Sequence, residues 1–98
     1  MSDLNVRARG LLDFAIQTIE DGLAEPTTMA ECFGEAEHAL RILGKILRKE
    51  DEFRHAQLAL IGVLNIPFTR VVDDEPAERE RWLKEALEKV AFAKTLFP

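Results

Sequence analysis

The chain has one cysteine, one serine and four prolines, and no stretch of apolar residues long enough to cross a bilayer as a helix. Each scarcity excludes something. Cys32 alone cannot close an internal disulfide, so no oxidising compartment is indicated. Ser2, at the very start of the chain, offers no positioned nucleophile for hydrolytic chemistry. The longest apolar runs fall well short of the ~18 residues of a membrane span. The opening Met1-Ser2-Asp3-Leu4-Asn5-Val6-Arg7 lacks the charged start and apolar run of a secretory signal, and a cytoplasmic location is the expectation. Glycine-rich phosphate loops and dinucleotide fingerprints are also absent, since Gly10, Gly34, Gly44 and Gly62 stand singly within helical patterns. Close helix–helix contact is the expected use of such glycines, each costing about 1 kcal/mol against alanine.

What is present describes a small globular domain. The 98 residues are 47% hydrophobic and 32% charged, too apolar for disorder and enough for one core. A chain of this length buries about two thirds of its unfolded surface, which leaves little apolar area to spare. The formal net charge is -5, which favours solubility and weighs against a phosphate-rich partner.

Alternating strand patterns are missing, and the few prolines divide the sequence into long amphipathic blocks. From Asp3 to Leu23, apolar groups at Ala8, Leu12, Ala15, Ile16, Ile19 and Leu23 recur at steps of three and four, one stripe of a helix capped by Ser2 or Asp3. Thr28-Met29-Ala30-Glu31 has the capping-box spacing, in which the two side chains satisfy first-turn amides. The most regular stripe follows it, from Met29 through Cys32, Phe33, Ala36, Leu40 and Leu43 to Leu47. Here Cys32 reads as a buried and inert thiol rather than a nucleophile. The heptad steps Cys32, Ala39, Ile46, Phe53 and Leu60 stay in phase across the charged run at residues 48–52. A single helix from Thr28 to Asn65 is therefore conceivable, but it would span ~57 Å. A break near Lys49–Asp51, with Asp51 as the next cap, suits a chain of this size better.

The third block, from Glu52 to Asn65, is apolar on nearly every side in its second half and ends where Pro67 drives Ile66 out of the α region. Residues 67–74 read as a loop. Asp73 and Asp74 are cap candidates for the fourth block, with Pro76 suited to its first turn. Trp82, Ala86, Val90, Ala93 and Phe97 form its expected stripe, with Leu83 at the edge. Its acid–base pairs four apart, Glu75–Arg79, Glu80–Lys84 and Glu85–Lys89, read as a solvated face. The expected fold is all-α: one domain over residues 1–98, an antiparallel bundle of four helices, or of three if the second and third are continuous.

Three constellations carry possible chemistry. A repeated Glu-x-x-His, at Glu35–His38 and Glu52–His55, has the spacing used by di-iron carboxylate bundles. Stepping round the helices, however, places His38 about 160° and His55 about 140° from their apolar stripes, outward where a bundle metal needs them inward. Arg41, Lys45, Arg48 and Lys49 form a basic cluster that suits contact with phosphate or an acidic partner, but the better-supported reading is cations near a helix C-terminus interacting with its dipole. No helix pairs that cluster with the side chains that read base edges, so nucleic acid is not the expected partner. The third constellation is surplus apolar surface. Phe14 and Phe92 lie far off their stripes, Leu58 makes the third helix two-sided, and Phe68, Val71 and Val72 crowd a loop. Several such residues in a short chain point to an interface. The expectation is a non-enzymatic protein–protein interaction module without cofactor or metal. It would act as a small regulator, adaptor or inhibitor with Phe14, Leu58, Phe68 and Phe92 as anchors, and would form a homodimer through the third helix and the exposed phenylalanines. A metal-binding bundle using Glu35, His38, Glu52 and His55 is the first alternative, and a nucleic-acid-associated regulator the second.

Overall fold

A computed structural model describes residues 3–49, 54–66, 68, 73 and 75–97, with Pro26 described by its backbone alone. Among the described residues the apolar stripes become four long α-helices, α1 (Asp3–Ala24), α2 (Met29–Leu47), α3 (Arg54–Leu64) and α4 (Pro76–Thr95), and a 3-10 turn, Pro26–Thr28, lies between α1 and α2. Each helix packs on the next and α4 returns to α1, so the four form a closed ring of neighbours about 40 × 19 × 19 Å in extent. The pairing is antiparallel. Gly22 near the end of α1 meets Phe33 near the start of α2, Gly44 of α2 meets Leu64 of α3, and Gly62 of α3 meets Lys89 of α4. Lys94 Nζ closes the ring with an ion pair 2.5 Å from Asp13 Oδ1 on α1.

The interior is one continuous cluster. It takes Ala8, Leu12, Ala15 and Ile19 from α1, Phe33, Ala36, Leu40, Leu43 and Leu47 from α2, Ala56, Leu60 and Val63 from α3, and Leu83, Ala86, Val90 and Ala93 from α4. Small alanines at one side of the stripe let helices approach, and leucines and Phe33 fill the space between them. At 11 residues α3 spans only ~16 Å, against ~30 Å for α4. Ile66 and Phe68, both buried in the same cluster, supply core volume beyond the end of α3.

Helices two and three are separate. The side-chain amide of Gln57 donates to the Leu47 carbonyl, which caps the end of α2 from α3. Along one continuous helix those residues would stand ~15 Å apart. Asp51, the expected cap of α3, lies outside the described residues, as do Ser2 and Asp74.

Two local expectations are corrected. The capping box at Thr28 and Glu31 does not form: the Thr28 hydroxyl donates backward to the Glu25 carbonyl at 3.2 Å and makes no cap hydrogen bond to α2. The 3-10 turn places that hydroxyl over the preceding carbonyl instead of the first amides of α2. In α4, Leu83 is fully buried and Trp82 is the edge residue, because the line Leu83, Ala86, Val90, Ala93 faces both neighbouring helices. Trp82 flanks that line, with the Arg81 guanidinium 5.3 Å above its ring. Glu75 occupies the cap position with Pro76 immediately inside the helix.

Candidate interaction surfaces

Among the described residues, the histidines, the cysteine and the carboxylates do not converge. His38 and His55 are both exposed, as their helical phase requires. Gly44 and Leu64 lie side by side where α2 and α3 pass in opposite directions. His38 is six residues before Gly44 and His55 nine residues before Leu64, so the two histidines are displaced to opposite ends and stand roughly 20 Å apart along the bundle axis. One metal ion cannot reach both, since its ligands must lie within ~2 Å of it. Glu52 lies outside the described residues. Among the described residues no three of His, Cys, Asp or Glu gather in a way that could hold a metal.

Cys32 is half-buried rather than central, and its Sγ donates to the Thr28 hydroxyl at 3.8 Å. Glu78 raises the pKa of Arg81 above its ordinary value, first through a 2.7 Å hydrogen bond and then through its charge. That pair sits on the solvated outside of α4 beside the expected Glu80–Lys84 and Glu85–Lys89 bridges, which form at 3.0 and 3.4 Å. Exposed pairs of this kind add little to stability.

What the structure does gather is apolar surface. Phe14 is 46% exposed, Leu58 and Phe92 are each 59% exposed, and Ile61 and Ile42 join them at 56% and 37%. Phe68 does not belong with them. It is fully buried, so as an anchor it is withdrawn from the surface and assigned to the core. Val71 and Val72 lie outside the described residues. The sequence reading missed Ile42 and Ile61. Ile61 was hidden in an apolar run whose outward side could not be chosen, and Ile42 borders the stripe of a helix whose packing angle was unknown.

These residues occupy separate grooves. Between α1 and α2, Phe14 and Leu11 face Gly34, Ala39 and Ile42, with Glu31, Glu35 and His38 along the edge. Between α3 and α4, Leu58 and Phe92 flank a floor of Ala59 and Gly62, with Glu88 and Lys89 at the rim.

Comparison with protein-family models, curated proteins and solved structures finds no match to this chain.

The third groove, between α2 and α3, combines both characters. Arg41, Lys45 and Arg48 line one edge, and Leu60, Ile61 and Leu64 its apolar side. The expected basic cluster is therefore real as a surface and sits in the last turns of α2, where cations also complement the helix dipole. Among the described residues no helix is long and apolar enough to cross a membrane.

Proposed function

We propose that the chain is a protein–protein interaction module, without catalytic activity, that docks an amphipathic helix of another protein in the groove between α3 and α4. The observation that carries this reading is the pair Leu58 and Phe92. Both project from the bundle on either side of Ala59 and Gly62, whose lack of bulk leaves a trough between two helices. Burying two such side chains removes apolar area from water at about 25 cal/mol per Å², and the trough admits a helix laid along it. Glu88 and Lys89 at its rim offer one charge of each sign to orient the incoming segment. A small regulator, adaptor or inhibitor is the role that suits a domain of this size. The single thiol fits a reducing compartment, so we place the protein in the cytoplasm, and self-association accompanies partner binding.

Site-specific photocrosslinking in the source cells tests the reading. Benzoyl-phenylalanine at position 58 or 92 is expected to capture one defined polypeptide, and the same group at Glu80 on the solvated side of α4 to capture none. Capture should fall when excess Phe92→Ser protein is replaced as competitor by the unaltered chain. No adduct from either position removes the α3–α4 groove as a docking site.

A further inference from the structure

The groove between α2 and α3 is lined by one stripe from each helix. Arg41, Gly44, Lys45 and Arg48 stand at i, i+3, i+4 and i+7 on α2, and Gln57, Leu60, Ile61 and Leu64 have the same spacing on α3. Residues so spaced share one helix face, so each stripe looks into the groove over a length of ~10 Å. The two edges differ in kind: three cations line one, and a carboxamide with three apolar side chains lines the other. The chain has 18 acidic side chains and a net charge of -5, yet no described acid lines this cavity. Helix-dipole preference accounts for cations in the last turns of α2. It does not account for their lining a concavity whose opposite wall is apolar.

We propose that this groove binds a single-chain anionic amphiphile, a carboxylate or similar anionic head on a linear alkyl chain. The inference goes beyond the docking of a partner helix between α3 and α4 and does not rest on it. The head belongs at the end of the groove where Gln57 is held by the Leu47 carbonyl, next to Arg48. Lys45 and Arg48 are exposed and form no ion pair with another described residue, so both can face the head. Arg41 stands at the other end, its Nε 3.8 Å from Glu37 Oε1, and is not needed for the head. The tail lies along α3. Leu60 is its buried floor, and Ile61, 56% exposed, is the wall that the tail would cover. At Gly44 a Cβ would already touch Leu64 Cδ1 at 3.8 Å, so a large side chain there would stand in the cavity and glycine leaves it open. A small anion without a tail would leave the α3 edge uncovered, and an uncharged chain would leave the cations unpaired. The cavity measures about 310 Å³, at the small end of ligand sites, and is more enclosed than the α3–α4 trough. A slender chain suits it, whereas a helix ~10 Å across suits the open trough.

The test is a titration of the full, isotopically labelled chain with octanoate, octanol and acetate at neutral pH and low salt, followed by backbone amide NMR shifts. Octanoate is expected to saturate one site with a Kd on the order of 1 mM, with shifts gathered at Gly44, Lys45, Arg48, Leu60, Ile61 and Leu64. Octanol should bind ~10-fold more weakly, and acetate should not saturate. The combined Lys45→Gln/Arg48→Gln chain should weaken octanoate by ~10-fold, and Ile61→Gln by ~5-fold, with far-UV circular dichroism unchanged. Lys84→Gln, which removes the same charge from the solvated side of α4, should stay within ~2-fold. The inference is overturned if octanoate gives no saturable shifts, if octanol binds as well as octanoate, if the double variant binds undiminished, or if the shifts gather at Leu58 and Phe92 instead. The octanol comparison uses the unaltered chain and decides the matter even where a variant misfolds. Capture by phosphatidylglycerol vesicles without octanoate binding also overturns it and assigns the face to a bilayer surface. None of these failures bears on crosslinking at positions 58 and 92, whose own failure strikes the α3–α4 groove and leaves this site standing.

Discussion

Two residues of one kind show how far environment decides a side chain's value. Gly22 and Gly10 both lie on α1, where glycine is disfavoured against alanine. A Cβ at Gly22 would come within 2.6 Å of Phe33 Cε1 and 3.2 Å of Cys32 Cβ, whereas at Gly10 it would meet nothing within 4 Å. The Phe33 ring is fully buried, so making room for the Cβ means moving core side chains. Gly22→Ala is therefore expected to lose ~1–3 kcal/mol through overpacking, while Gly10→Ala gains ~0.5–1 kcal/mol from helix propensity. Urea denaturation of both variants decides it, and a Gly22→Ala protein as stable as Gly10→Ala would show that α1 and α2 are not in close contact there. Thr18 makes a related point. A polar side chain in the buried face of α1 breaks the apolar stripe, yet its hydroxyl donates to the Phe14 and Ala15 carbonyls at 3.0 and 3.1 Å. With its polar atom satisfied by its own helix, it packs as a small apolar group.

At the scale of the element, helix existence and phase follow from apolar spacing, and helix ends follow from contacts between elements. The boundary of α2 is the clearest case. The sequence between Leu47 and Arg54 contains no proline or glycine, and the heptad pattern runs through it unbroken. What ends α2 is Gln57, reaching across from α3 to its Leu47 carbonyl, together with the gain from folding α3 back onto α2. Gln57→Leu removes that donor and leaves a terminal carbonyl of α2 without it. The expected loss is ~1 kcal/mol in urea denaturation, with far-UV circular dichroism nearly unchanged because the helices themselves remain. A loss of helicity would mean that α3 depends on this cap for its formation. The same logic explains why the Thr28–Glu31 signature misled. A capping box needs extended backbone at the cap residue, and the 3-10 turn gives Thr28 a ψ of 5°.

For the whole molecule, the ring of four helices sets which apolar residues can be covered. Each helix has two neighbours, so each buries a stripe little wider than its seam and exposes whatever lies opposite. Phe14, Leu58, Ile61 and Phe92 are all on such outward or flanking positions. The isolated bundle has a Cα radius of gyration of 13.2 Å. Small-angle X-ray scattering extrapolated to infinite dilution should approach that value. At high concentration, side-by-side pairing of two bundles about 19 Å wide raises it to ~16 Å. A radius that stays constant over the whole series would leave the outward apolar faces to partners other than a second copy.

The sequence by itself determined the helical class, the phase of each stripe and the outward direction of His38, His55, Phe14 and Phe92. These follow from a repeat of 3.6 residues and need no knowledge of neighbours. Only the tertiary structure decided that Phe68 is core and not surface, that Leu83 and not Trp82 centres α4, and that Ile42 and Ile61 are left outside. Those outcomes depend on where the second neighbour of each helix sits and on how short α3 is. The spacing within any one helix is the same whichever flank its neighbours cover, so only their packing could decide them.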